Sequence, residues 1–160
     1  MGLLDGKRLL ITGVLTDASL AFGVARLAQA EGAEVVLTGA GRGMRLTQRT
    51  ARKLPNEADV LELDVTDDTH PAAVRDLLAE RWGTVDGALH AIGFAPEACL
   101  GGQFLDTTWA DVSVAVQVSA YSLRAVAVAV VPLMTGGGSI VGLDFDARVA
   151  WPAYDWMGVA

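Results

Sequence analysis

Strand-like and helix-like stretches alternate along this sequence, and that alternation restricts the fold more than any other feature. Short apolar runs of β type stand at Arg8 to Thr12 (RLLIT), Glu34 to Thr38 (EVVLT), Asp59 to Leu63, Ala88 to Ala91 and Ser139 to Asp144 (SIVGLD). Helical patterns separate them. One runs from Ser19 to Glu31 and is stopped by Gly32; a basic one runs from Met44 to Leu54 and closes before Pro55. A third, capped by Thr69, runs to about Trp82 and carries Pro71 in its first turn. Trp109 to about Val131 reads as one long helix ending at Pro132. Its Val-Ala alternation from Ala125 to Val130 would suit a strand, but length and the alternating architecture favour a helix. A further helix begins near Tyr154. Strands joined through helices make right-handed crossovers and hence a parallel sheet with helices on both faces.

Composition narrows the class of partner. The 12 basic and 19 acidic residues among 160 give a net charge of −7, which argues against nucleic acid or an anionic membrane surface as partner. Cys99 is the single cysteine, so no internal disulfide forms, and a reducing, cytoplasmic setting is the simple reading. The amino-terminal apolar run is too short for a signal peptide. The most apolar stretch, Ala125 to Met134, is well short of the roughly 20 residues of a membrane span. A soluble protein with no membrane partner is therefore expected.

A doubly wound sheet of this kind, of the Rossmann type with strand order 3-2-1-4-5, collects ligands beyond the carboxyl ends of its strands, where the order reverses. The loop after the first strand lies there, reading from Gly13 through Ser19 to Ala21. Gly13 permits a tight turn. Ser19 opens the helix, where a hydroxyl, free amides and the helix dipole suit a pyrophosphate; an ordinary Ser N-cap is the plainer alternative. A full G-x-G-x-x-G is absent. Asp64 and Val65 follow the third strand, where a carboxylate can accept from an adenine amino group, or simply shape a turn. Gly93 follows the fourth, where a missing side chain lets a ribose approach the backbone, or is a loop glycine. Arg42, after the second strand, is either a ligand for a 2′-phosphate or one solvated charge on a basic helix. All lie on one edge of one sheet, so residues 1–160 are expected to form a single dinucleotide-binding domain.

With these residues in place, the sequence resembles the NADH-dependent enoyl-[acyl-carrier-protein] reductases of the mycobacterial type, a divergent branch of the short-chain dehydrogenases/reductases. The stretches that carry the resemblance are GLLDGKRLLITG, Thr16-Asp17, Ser19-Leu20-Ala21-Phe22, LELDV around Asp64, Ile92-Gly93-Phe94, Ser119-Ala120-Tyr121-Ser122, GGSIVGLDFD and PAYDWM. The resemblance implies that Ser19 and Leu20 bind the pyrophosphate region, Asp64 and Val65 the adenine, and Ile92 and Gly93 the ribose and nicotinamide side. It implies further that Phe145 and Tyr154 face the substrate, an enoyl thioester on acyl carrier protein or CoA, and that the cofactor is NADH, with NADPH left open. Taken alone, both aromatic residues would be packing residues. The implied reaction is fatty-acid biosynthetic: hydride transfer to the β-carbon of a trans-2-enoyl thioester, with Tyr154 stabilising charge on the carbonyl. No metal is implied, and a homotetramer is.

Ketoreductases of this superfamily carry a Ser on the fifth strand, thirteen residues before the Tyr; here that position is Val141, whereas Phe145, nine residues before, fits the enoyl-reductase pattern. The sequence also departs from the family. Ala91 stands where a Ser is usual, and Ala40 replaces a larger side chain beside the adenosine. The family's Tyr-x₆-Lys motif is met through residues 155–160, after which the sequence ends before the Lys. The expectation is a domain truncated at its carboxyl end, without sixth and seventh strands and inactive alone. A non-catalytic remnant that binds a dinucleotide or pairs with a related subunit is the alternative, and a carbonyl reductase a weaker one.

Overall fold

The computed structural model describes residues 2–102, 104–146, 148–149 and 152–160. Five parallel strands form one sheet: β1 (Arg8–Ile11), β2 (Glu34–Gly39), β3 (Val60–Glu62), β4 (Gly87–His90) and β5 (Ser139–Gly142), in the order β3-β2-β1-β4-β5. This is the Rossmann-type doubly wound order expected from the alternation. Leu10 of β1 stands in register with Val36 on one side and Ala88 on the other, and Ala88 with Ile140.

Helices α1 (Leu20–Ala30), α2 (Gly43–Ala51), α3 (His70–Trp82), α4 (Trp109–Val116), α5 (Leu123–Val130) and α6 (Trp156–Val159) complete the fold. The strand period of two sorts the core into two layers. Ile11, Val35, Leu37 and Leu89 pack on Phe22 and Ala25 of α1 and Ala51 of α2. Leu10, Val36 and Ala88 face Val74 and Leu78 of α3 and Val126 and Val130 of α5. The central strands are buried on both faces, which is why each reads as an unbroken apolar run. At the sheet edge, Val141 of β5 stays exposed.

Several boundaries differ from the sequence expectation, each for a local reason. Helix α2 ends at Ala51 because Lys53 and Leu54 donate to Thr50 and Ala51 three residues back, tightening the last turn ahead of Pro55. Strand β4 ends at His90 because the Ala91 amide donates to the Thr12 hydroxyl (2.9 Å) in place of a strand carbonyl. Thr69 stands at the start of α3 without capping it: its hydroxyl donates to Asp67. The long helix is helical as expected but not uniform, since a π turn, Gln117–Tyr121, separates α4 from α5. It continues through the turn Val131–Leu133, so that Trp109–Leu133 is long and apolar enough to cross a bilayer by length and composition, more than the 125–134 run implied. In the fold its buried face, Val126, Ala129 and Val130, lies in the α3-side core layer.

Candidate functional site

The ligand edge is built outward from Thr12, the residue that leaves β1. Its buried hydroxyl donates to the Leu89 carbonyl (3.0 Å) and accepts from the Ala91 amide, joining the exits of β1 and β4. Gly13 follows with φ +81°, and a Cβ there would lie 2.0 Å from the Ala91 carbonyl oxygen. Two independent reasons therefore demand glycine: the left-handed backbone and the close approach of β4's exit. The loop is then tied down by Thr50, whose hydroxyl donates to the Leu15 carbonyl (2.9 Å), and by the Lys53–Asp17 pair at 2.7 Å. The Lys53 ammonium holds the Asp17 carboxyl below its ordinary range.

Ser19 is the N-cap of α1. Its Oγ accepts weakly from the Phe22 amide (3.3 Å) and donates to the Thr16 carbonyl (2.7 Å), so the hydroxyl is turned back into the loop. The plain N-cap reading thus holds, and Ser19 lines neither of the clefts described below. The Leu20 and Ala21 amides have no protein acceptor among the described residues. They sit at the positive end of an 11-residue helix, which is the arrangement that suits an anion.

Two clefts of about 250 Å³ each lie along this edge. The first spans the exits of β1, β2 and β3 and is lined by Gly13, Thr38, Ala40, Asp64, Val65, Ile92 and Gly93. The second spans the exits of β4 and β5, lined by Leu20, Ser119, Phe145 and Met157. Ala91, Ile92 and Gly93 belong to both and form their common wall. Among the described residues no Lys or Arg lines either cleft, and Arg42 stays exposed at the start of α2 without an ion-pair partner among them.

Asp64 is tied into a turn and also faces the first cleft. Its Oδ1 accepts from the Thr66 amide and hydroxyl (2.9 and 2.7 Å), which makes it a turn residue. Its Oδ2 has no protein donor among the described residues, and the side chain lines the first cleft.

Phe145 links the second cleft to a wider basin of about 490 Å³ that Tyr154 also lines. The two rings are tilted by 35° with centroids 4.7 Å apart. Tyr154 precedes α6, and its hydroxyl has no protein partner among the described residues. It stands in this basin and does not line the second cleft itself.

Sequence reasoning missed four residues. Thr12 and Thr38 sit inside apolar strand runs, where a threonine reads as β-branched packing. Ser119 and Met157 lay within stretches noted for resemblance, but nothing in their spacing aimed them at the clefts.

A family model described as "Enoyl-(Acyl carrier protein) reductase" matches residues 13–160. The chain is 47% identical to an NADH enoyl-[acyl-carrier-protein] reductase of Mycolicibacterium smegmatis, over 99% of this chain and 60% of that protein. It is 44% identical to the Mycobacterium avium protein of the same name, over 99% and 60%. With the corresponding Neisseria meningitidis protein it shares 39% identity over 100% and 62%. The chain spans about 60% of the length of the relatives it matches.

Proposed function

The chain belongs to the enoyl-(acyl carrier protein) reductase family, and from that membership we propose that it carries the dinucleotide-binding part of an NADH-dependent enoyl-[acyl-carrier-protein] reductase of fatty-acid biosynthesis. Residues 1–160 act as one such domain in this reading, in a cytoplasmic protein that assembles as a homotetramer. Exposed apolar side chains on the long helix, Tyr121, Leu123 and Val131, give such an assembly something to cover.

The observation that carries the reading is the pair of clefts meeting at Ala91–Gly93, with Phe145 and Tyr154 at the far end of the second. The residues present fit a dinucleotide. Two uncommitted amides at the start of α1 suit its pyrophosphate, and no Lys or Arg among the described residues lines the clefts. Asp64 Oδ2, beside Val65, is an acceptor for an adenine amino group, and Gly13, Ile92 and Gly93 line the same cleft. When bound, NADH supplies hydride to the β-carbon of a trans-2-enoyl thioester. Leu20 and Phe145 keep water from the second cleft with apolar surface. Tyr154 directs its hydroxyl hydrogen at the thioester carbonyl oxygen and stabilises the negative charge that develops there. Phe145 packs the Tyr154 ring and limits where it can point.

Carbonyl reduction is disfavoured by β5. The position where a ketoreductase of the superfamily has a serine is Val141, which has no hydroxyl and lines neither cleft.

The test is titration of NADH against the purified 160-residue chain, read by fluorescence, beside the parent protein extended through the family's Lys. Binding by both, with enoyl-thioester-dependent NADH oxidation by the longer protein, supports the reading. Absence of binding by either overturns it.

A further inference from the structure

The π turn Gln117–Tyr121 carries Ser119 and is followed at once by Ser122. These two hydroxyls, three residues apart, grip the two ends of one short segment. Ser122 Oγ donates to the Val118 carbonyl at 2.6 Å, which uses its only hydrogen. The 2.7 Å contact with His90 Nε2 is therefore a bond in which the imidazole donates. Ser119 Oγ accepts from the Phe94 amide (3.0 Å) and donates to the Phe94 carbonyl (2.9 Å). His90 and Phe94 bracket Ala91, Ile92 and Gly93, the three residues common to both clefts.

We propose that Ser119 is a positioning residue for the nicotinamide half of the cofactor: through its two bonds to Phe94 it sets where Gly93 stands at the mouth of the second cleft. The proposal rests on the dinucleotide reading given above. The π turn is what allows it. A hydrogen-bonded span one residue longer than in an α-helix lets Ser122 reach back to the strand while Ser119 reaches the loop beyond it. Serine–carbonyl bonding to residue i−4 is a known competitor of the regular helix ladder, and here the Ser122–Val118 bond runs from just beyond the π turn back into it. Clearance at Gly93 is narrow: a Cβ there would lie 3.1 Å from Met157 Cε and 4.0 Å from Ser119 Oγ. A small drift of the segment therefore changes the shape of the second cleft.

The test compares the chain with Ser119→Ala and Ser119→Thr, titrating NADH and AMP separately; AMP occupies only the first cleft. Ser119→Ala is expected to weaken NADH about tenfold, equivalent to about 1.4 kcal/mol, and to change AMP by less than about threefold. Ser119→Thr, which keeps the hydroxyl, is expected to restore NADH affinity. Faster hydrogen exchange of the Phe94 amide in Ser119→Ala alone should accompany the loss. Equal weakening of both nucleotides, no weakening of NADH, or no rescue by Thr would overturn the proposal while leaving the dinucleotide reading intact. A wild-type chain that binds neither nucleotide overturns both.

Discussion

The Tyr154 ring rests against Phe145, centroids 4.7 Å apart at a 35° tilt, and its hydroxyl has no protein partner among the described residues. The ring is held by packing, while the polar end remains available to a substrate.

Tyr154→Phe in the parent protein is accordingly expected to lower kcat on the order of 100-fold, the scale of losing one oxyanion donor. The melting temperature should move by no more than about 2 °C, because no intramolecular hydrogen bond is lost. Steady-state kinetics with an enoyl thioester, beside a thermal melt, check both halves; unchanged kcat would remove Tyr154 from the chemistry.

Gly13→Ala should be costly twice over. The new Cβ meets the Ala91 carbonyl oxygen, and the backbone at φ +81° is strained for any L side chain. A loss of about 2 kcal/mol or more is expected, together with loss of NADH binding, since the displaced Ala91 belongs to both clefts. Urea unfolding and a nucleotide titration on the same sample measure the two effects.

His90 is almost fully buried, and burial pushes its pKa below the ordinary value for histidine. The folded protein thus resists protonating it, whereas the unfolded chain accepts a proton near pH 6.5. Stability should be level in this respect above about pH 6.5 and fall as the pH drops below it towards the lowered folded value. His90→Gln removes the titration and keeps a donor near the Nε2 position. Urea midpoints at pH 7.5 and 5.5 should then differ less in the variant than in wild type. Ser122→Ala leaves the imidazole N–H buried without an acceptor and should cost about 1–3 kcal/mol at pH 7.5.

At the opposite edge of the sheet, Asp86 accepts from Lys7 Nζ (2.9 Å) and from the Arg8 amide (3.0 Å). These bonds, the one from Lys7 foremost, hold its carboxyl below the ordinary range. A lowered folded pKa stabilises above the unfolded value near 4 and is lost as the pH falls through the folded one. Asp86→Asn is expected to cost about 1 kcal/mol at pH 7, with the gap from wild type closing in acid. Acid unfolding curves of the two proteins should converge; parallel curves would show that the ion pair contributes nothing.

The sheet was legible from sequence because burial on both faces writes itself as short apolar runs, and 3.6-residue spacing between them marks the crossovers. Leu10 and Ile11, adjacent in β1, end in opposite core layers. The turn positions of Gly13 and Asp64 were also legible, since each stands at a strand exit where turn chemistry is local. Thr69 and Ser19 show the limit. Both were placed correctly at helix starts, but the Thr69 hydroxyl took Asp67 instead of a helix amide, and Ser19 turned away from the clefts towards Thr16. A hydroxyl chooses among several acceptors of similar energy, and residue spacing does not rank them.

The alternating architecture, its strand order and the edge that carries the candidate site residues were written in the chain locally, because they follow from periodicity and the handedness of crossovers. The division of that edge into two clefts came from long-range packing. The wall between them is set by Thr12, Ser122 and Ser119 bonding to partners 79, 32 and 25 residues away along the chain. Such bonds depend on which backbone groups the folded sheet brings within 3 Å, and no short stretch of sequence contains both ends of any of them.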